Sequence, residues 1–261
     1  MASWESAVCT VNGIELHYLR TGGGRPPVIL LHGLTGSGAC WSPLAHALEA
    51  DFDVIMPDAR GHGASSAPPS GYRYEDHAGD VIGLIHALGL DTPVLLGHSM
   101  GGMTAAVVAA QIGAGPGKLI LADPTFLSPQ RQREVFESDA VEQHRRLLSL
   151  DRDEALAEAL ARHPQRSREV VELVTEARLS TPIRAFAVLT PPNPEYRRLV
   201  SAIDAPTLLV IADHGVVSGE TARELQEIKP GLRVERIEDA GHGLPYDQPE
   251  RFEAAVRSFL G

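Results

Sequence analysis

Cysteine is nearly absent from this chain: Cys9 and Cys40 are the only two in 261 residues. Neither belongs to a cluster of His or Cys at metal-ligand spacing, so no zinc motif is present and no metal is expected. The pair reads as two buried or half-buried free thiols. Basic residues are also scarce. The 23 Lys and Arg face 34 Asp and Glu, a formal net charge of −11 that argues against nucleic acid or an anionic membrane as partner. No apolar run approaches the ~20 residues needed to span a bilayer. The opening Met1-Ala2-Ser3-Trp4-Glu5 lacks the basic and apolar regions of a signal peptide, so the expected setting is the cytoplasm. Repeats and low-complexity tracts are missing, as are Gly-Lys-Ser/Thr and Gly-x-Gly-x-x-Gly phosphate loops.

What is present suits one large α/β domain carrying an insertion, since 43% hydrophobic residues supply a full core. Val8 to Leu19 reads as two extended segments joined at Asn12-Gly13, a dipeptide favoured in tight hairpin turns. Continuous apolar runs at Pro27–Leu31, Val54–Pro57, Pro93–Leu96, Lys118–Ala122 and Pro206–Ile211 suit strands buried on both faces. Helical spacing falls between them, at 41–50, 74–88, 220–227 and 251–259. Strand alternating with helix implies a mainly parallel sheet with helices on both faces. From about Thr125 to Val200 the rhythm breaks into charged helical segments, such as Arg152 to Arg162 and Ser167 to Leu179. This block is expected to form a lid over the strand ends, where open α/β sheets bind ligands. The expected division is a core of residues 1–124 and 201–261 and a helical cap of residues 125–200.

Gly97-His98-Ser99-Met100-Gly101 lies between an apolar strand and a small-residue helix. A serine at the apex of such a strained turn is held above the sheet edge at the positive end of a helix, as a nucleophile requires. Its hydroxyl needs a base, and the base needs an orienting carboxylate. His242, flanked by Gly241 and Gly243 in the loop after the last strand, is the best-placed base. His98 adjoins the serine but points away from it, and His32, His62 and His214 lie in strand-end loops that could line the site. Two carboxylates compete. Asp213 is preferred, because its strand neighbours the one that delivers His242, while Asp123 ends an earlier strand at the same edge. Acyl transfer also needs oxyanion donors. The backbone N–H of Met100 follows the nucleophile, and the glycine-rich loop after Leu31 offers a second at Leu34.

The order Ser99, Asp213, His242 resembles that of the α/β-hydrolase superfamily. His32-Gly33-Leu34 is similar to its oxyanion loop, Asp58-Ala59-Arg60-Gly61-His62-Gly63-Ala64-Ser65 to its DxRGxGxS segment, and Gly97-His98-Ser99-Met100-Gly101-Gly102 to its nucleophile elbow. Ala240-Gly241-His242 with Asp247-Gln248-Pro249-Glu250 resembles its terminal histidine loop. At the acid, Ala212-Asp213-His214-Gly215-Val216-Val217-Ser218 departs from the family's GxxDxxVP, which keeps Asp123 as the alternative. The resemblance implies a mainly parallel eight-stranded sheet with a helical cap inserted after the sixth strand. It also implies a serine carboxyl-ester hydrolase, working without cofactor on a small-molecule acyl substrate, as a monomer or homodimer. Two other readings stay open. One is a lactonase or a hydrolase of carbon–carbon bonds in ring-cleavage products, which a cap arginine among Arg178, Arg184, Arg197 and Arg198 would favour. The other is a ligand receptor on the same fold with little turnover.

Overall fold

The computed structural model describes residues 4–112 and 115–261. Residues 1–3 of the stretch read for a targeting signal lie outside them. The chain opens with β1 (Glu5–Val11) and β2 (Ile14–Arg20), an antiparallel hairpin in which Val11 pairs Ile14. Asn12 and Gly13 turn between them with φ of 46° and 77°, the left-handed pair a tight hairpin requires. There follow β3 (Pro27–Leu31), α1 (Ser42–Leu48), β4 (Asp53–Pro57), α2 (Tyr74–Ala87), β5 (Val94–His98), α3 (Met100–Gln111) and β6 (Leu119–Ala122). After an excursion, β7 (Thr207–His214), α9 (Gly219–Ile228), β8 (Arg233–Gly241), α10 (Leu244–Asp247) and α11 (Pro249–Leu260) complete the chain. The sheet order is β1-β2-β4-β3-β5-β6-β7-β8, with β3 to β8 parallel.

Both faces of this sheet are covered, which is why its central strands are continuous apolar runs. Along β3, Ile29 and Leu31 pack into one cluster with α2 residues Val81, Leu84 and Ile85 and with α3. Val28 and Leu30 point the other way, into a second cluster with Trp41, Leu44 and Leu48 around α1 and with Phe252 and Val256 of α11. This period-two alternation leaves Val28, Ile29 and Leu30 with no exposed surface. Each such side chain contributes about 1.5–3 kcal/mol of burial.

Between β6 and β7 run α4 (Pro129–Phe136), α5 (Ala140–Leu148), α6 (Arg152–Arg162), α7 (Arg168–Ser180), a 3-10 stretch (Ile183–Leu189) and α8 (Tyr196–Ala202). Their starts follow from capping: the Ser128, Asp151 and Ser167 side chains each accept a backbone N–H three residues on. Tyr196 and Val200 of α8 join the main core beside α3, so the end of this helical block is woven into the sheet layer. No helix among the described residues is long and apolar enough to cross a membrane. Cys9 is half-buried and Cys40 buried, and both are free thiols.

Candidate active site

Ser99 sits between β5 and α3 with φ 55° and ψ −118°, a conformation that L-residues seldom adopt. The glycines around it are there for clearance. A Cβ on Gly97 would run into the Gly101 carbonyl, and one on Gly101 into the Leu31 carbonyl of the neighbouring strand. The turn therefore packs backbone on backbone.

His242 stands between Ser99 and a carboxylate. Its Nε2 lies 2.8 Å from Ser99 Oγ, and its Nδ1 lies 2.6 Å from Asp123 Oδ2. The residue joined to His242 is thus Asp123, not Asp213, and the preference for Asp213 is corrected. Asp123 follows β6 with φ 40° and no exposed surface. Its two oxygens also accept the backbone N–H groups of Val216 at 2.8 Å and Val217 at 2.9 Å. The loop after β7 supplies these donors. It comes so close that a Cβ on Gly215 would lie 2.6 Å from Asp123 Oδ1.

Asp213 is turned elsewhere by a register shift between Ala212 and His214 where β7 meets β8. Its carboxylate accepts Arg236 Nε at 2.6 Å and the Asp239 N–H at 2.9 Å. Those bonds, the Asp239 N–H first, hold its carboxyl below the usual range.

The loop carrying His242 is braced from behind. The His98 Nε2–H donates to the His242 carbonyl at 2.7 Å, and burial pushes His98 down to about 3, so the ring is neutral there. Asp247 accepts the Gly241 N–H at 3.1 Å and pairs with Arg166 at 2.7 Å, which ties this loop to the segment between α6 and α7.

Leu34 and Met100 line one cavity with Ser99 and His242, of about 330 Å³. Met100 is the first residue of α3, where N–H groups have no intrahelical acceptor, and the Leu34 N–H finds no protein acceptor among the described residues. The Leu34 loop is fixed by two histidines that lie beneath it rather than lining the cavity. The His32 Nδ1–H donates to the Gly33 carbonyl at 2.8 Å while its Nε2 accepts the Ala59 N–H at 3.0 Å. His62 Nε2 accepts the Thr35 N–H at 3.2 Å. Burial lowers both rings, and His62 is held well below its ordinary value. The Asp58–Ser65 segment is a scaffold for this arrangement: Asp58 accepts the Gly38 and Ala64 N–H groups, and buried Arg60 pairs with Asp80 at 2.5 Å.

The cavity is completed by residues that sequence alone did not single out. Tyr74, Thr125, His144, Phe186, Val188 and Leu189 close it from α2, the β6 exit and the helical block. Tyr74 and Thr125 share a 2.8 Å hydrogen bond, and the His144 Nε2–H donates to the Thr181 carbonyl at 2.8 Å. None of these positions carries a motif that would have announced it. A second cavity of about 440 Å³ shares Tyr74, Thr125 and His242 and is lined by Arg131, Asn193 and His214. Of Arg178, Arg184, Arg197 and Arg198, Arg178 alone lines the Ser99 cavity. Arg184 donates to the Ala67 carbonyl, Arg197 pairs with Glu224, and Arg198 is exposed.

Comparison with known proteins agrees with this architecture. N-formylmaleamate deformylase of Pseudomonas putida is 32% identical over 257 residues, spanning 96% of this chain and 94% of its own. A crystal structure of an N-formylmaleamic acid deformylase, also from Pseudomonas putida, superposes with a TM-score of 0.83 at 26% identity, covering 97% of this chain and 100% of that one. The enol-lactonase of Burkholderia xenovorans superposes with a TM-score of 0.79 at 26% identity, covering 97% and 99%. The Alpha/beta hydrolase family matches residues 28–255. A match over that span, which carries both the Ser99 turn and the His242 loop, makes this chain a member of the alpha/beta hydrolase family.

Proposed function

We propose that the protein is a serine hydrolase that cleaves a small acyl compound through an acyl-enzyme intermediate. The observation that carries this is the single imidazole of His242 bridging Ser99 Oγ and the buried carboxylate of Asp123. In this reading Ser99 Oγ attacks the substrate carbonyl carbon as His242 Nε2 takes its proton. Asp123, acceptor for the Nδ1–H, holds the tautomer and offsets the charge of the imidazolium. The N–H groups of Leu34 and Met100 receive the oxyanion, a contribution worth about 2.7–4 kcal/mol per donor. Collapse expels the leaving group with the proton from His242. Water, deprotonated by the same imidazole, then attacks the ester of Ser99 and releases the acid. Every step is proton transfer and acyl transfer.

Carboxylic esters are one substrate class for this machinery, and amides and enol lactones are others. The second class draws support from the relatives, which are named as a deformylase of a maleamate and as an enol-lactonase. A cavity of about 330 Å³ fits a small molecule better than a long acyl chain.

A panel of short esters, formamides and lactones tests the proposal. Ser99→Ala and His242→Ala should each remove at least about 10⁴-fold of kcat on whichever substrates turn over. Retention of most activity by Ser99→Ala would sink it. Stoichiometric binding by the wild type with negligible turnover would support a receptor instead.

A further inference from the structure

Arg178 lies in the last turn of α7, half-buried against the Ser99 cavity. Its Nε is buried with no hydrogen-bond partner, and among the described residues no carboxylate comes within ion-pair reach of it. The other cations nearby do not relieve this. Arg166 is already paired with Asp247, and Arg162 adds a like charge. Burial, followed by those two neighbours, pulls Arg178 below its ordinary value, yet a guanidinium keeps its charge at any working pH. A half-buried cation with a buried, unpartnered Nε and no counterion is unfavourable, and an apolar side chain would fill much of the same space without that penalty.

The cavity that Arg178 faces has no negative charge to offer it. No Asp or Glu lines it, and the nearest catalytic carboxylate, Asp123, is enclosed behind His242. Its other walls are apolar or neutral, as with Leu34, Val135, Phe186 and Val188. On its other side Arg178 borders a cleft of about 260 Å³ between α5, α6 and α7, where Arg146 is paired with Glu158 and Arg162 is exposed. Arg178 therefore lines both the Ser99 cavity and an arginine-lined cleft.

We infer that the Ser99 cavity takes an acyl substrate bearing a free carboxylate, and that Arg178 is the group that binds it. The planar fork of the guanidinium suits a two-point grip on a carboxylate, which would fix the distance from that end of the substrate to the scissile carbonyl. Binding then supplies the counterion that the fold withholds. The inference rests on the hydrolase reading for the position of the reacting carbonyl.

The test uses Ser99→Ala protein, so that esters are held without being cleaved. Monomethyl succinate, with one free carboxylate, is titrated alongside dimethyl succinate, which has none. The monoester should bind at least about tenfold tighter than the diester. Arg178→Gln in the same background should erase that preference, and Arg178→Lys should restore part of it through charge alone. A preference near one with Arg178 intact, or one that survives Arg178→Gln, overturns the assignment. Failure of the hydrolase reading would show differently, as cleavage of either ester by Ser99→Ala protein.

Discussion

At φ 55° and ψ −118°, Ser99 stores strain of about 1–3 kcal/mol that its neighbours must hold in place. The glycines at 97 and 101 make the turn sterically possible, and the hydrogen bonds Gly102 N–H and Met103 N–H to the Ser99 carbonyl, at 3.0 and 3.1 Å, lock it into α3. The acid is where residue-level reasoning needed three dimensions. Asp123 and Asp213 both stand at strand ends on the same sheet edge, each after an apolar run that ends in alanine. What separates them is the register shift at the end of β7, which swings Asp213 onto Arg236, and the two N–H groups of Val216 and Val217, which face Asp123. Neither feature is written in a motif. Asp123→Asn should therefore lower kcat by about 10⁴-fold, since an amide cannot hold the same tautomer. Asp213→Asn, outside the site, should stay within about threefold of the wild type. Steady-state rates of the two variants on one substrate decide between them, and the reverse order would restore Asp213.

At the scale of elements, the site hangs on loops that are pinned by buried neutral histidines. His98 supports the His242 loop, and His32 and His62 support the Leu34 loop. In sequence His32 and His62 lie in strand-end loops that could line the site. They act one layer below, because hydrogen bonding to backbone leaves no polar edge free to face the cavity. Their burial makes the fold sensitive to acid. His77 and His98 are pushed down to about 3, mainly by burial. An unfolded histidine takes up its proton near pH 6.5, so between those values the unfolded chain binds more protons than the folded one. Stability is complete above about pH 6.5 and falls as pH drops toward 3, by about 1.4 kcal/mol per pH unit for each such histidine. Urea unfolding at pH 7 and pH 5 should show a clear loss at the lower pH, and His77→Gln should reduce that loss. Equal stability at both values would contradict the neutral assignment.

On the scale of the whole molecule, the sheet was readable because burial on both faces demands uninterrupted apolar strands, as Val28 to Leu31 illustrate. The α6 and α7 helices were readable as the charged helical segments Arg152 to Arg162 and Ser167 to Leu179. The join between helical block and sheet layer was not, because Tyr196 and Val200 of α8 look like surface-helix residues until α3 is seen against them. The same block walls the Ser99 cavity and brings Arg178 to its lining, so the shape of that cavity depends on tertiary packing that no linear pattern displays. The proposed chemistry converges on one atom, Ser99 Oγ, which His242 joins to Asp123. Its most direct test is intact-mass measurement of the protein after reaction with an activated phosphate ester, with the modified residue mapped by peptide fragmentation. The account predicts one adduct per chain, on Ser99, forming far more slowly in Asp123→Asn and at the wild-type rate in Asp213→Asn. An adduct on another residue, or one that forms equally fast in Asp123→Asn, would contradict it.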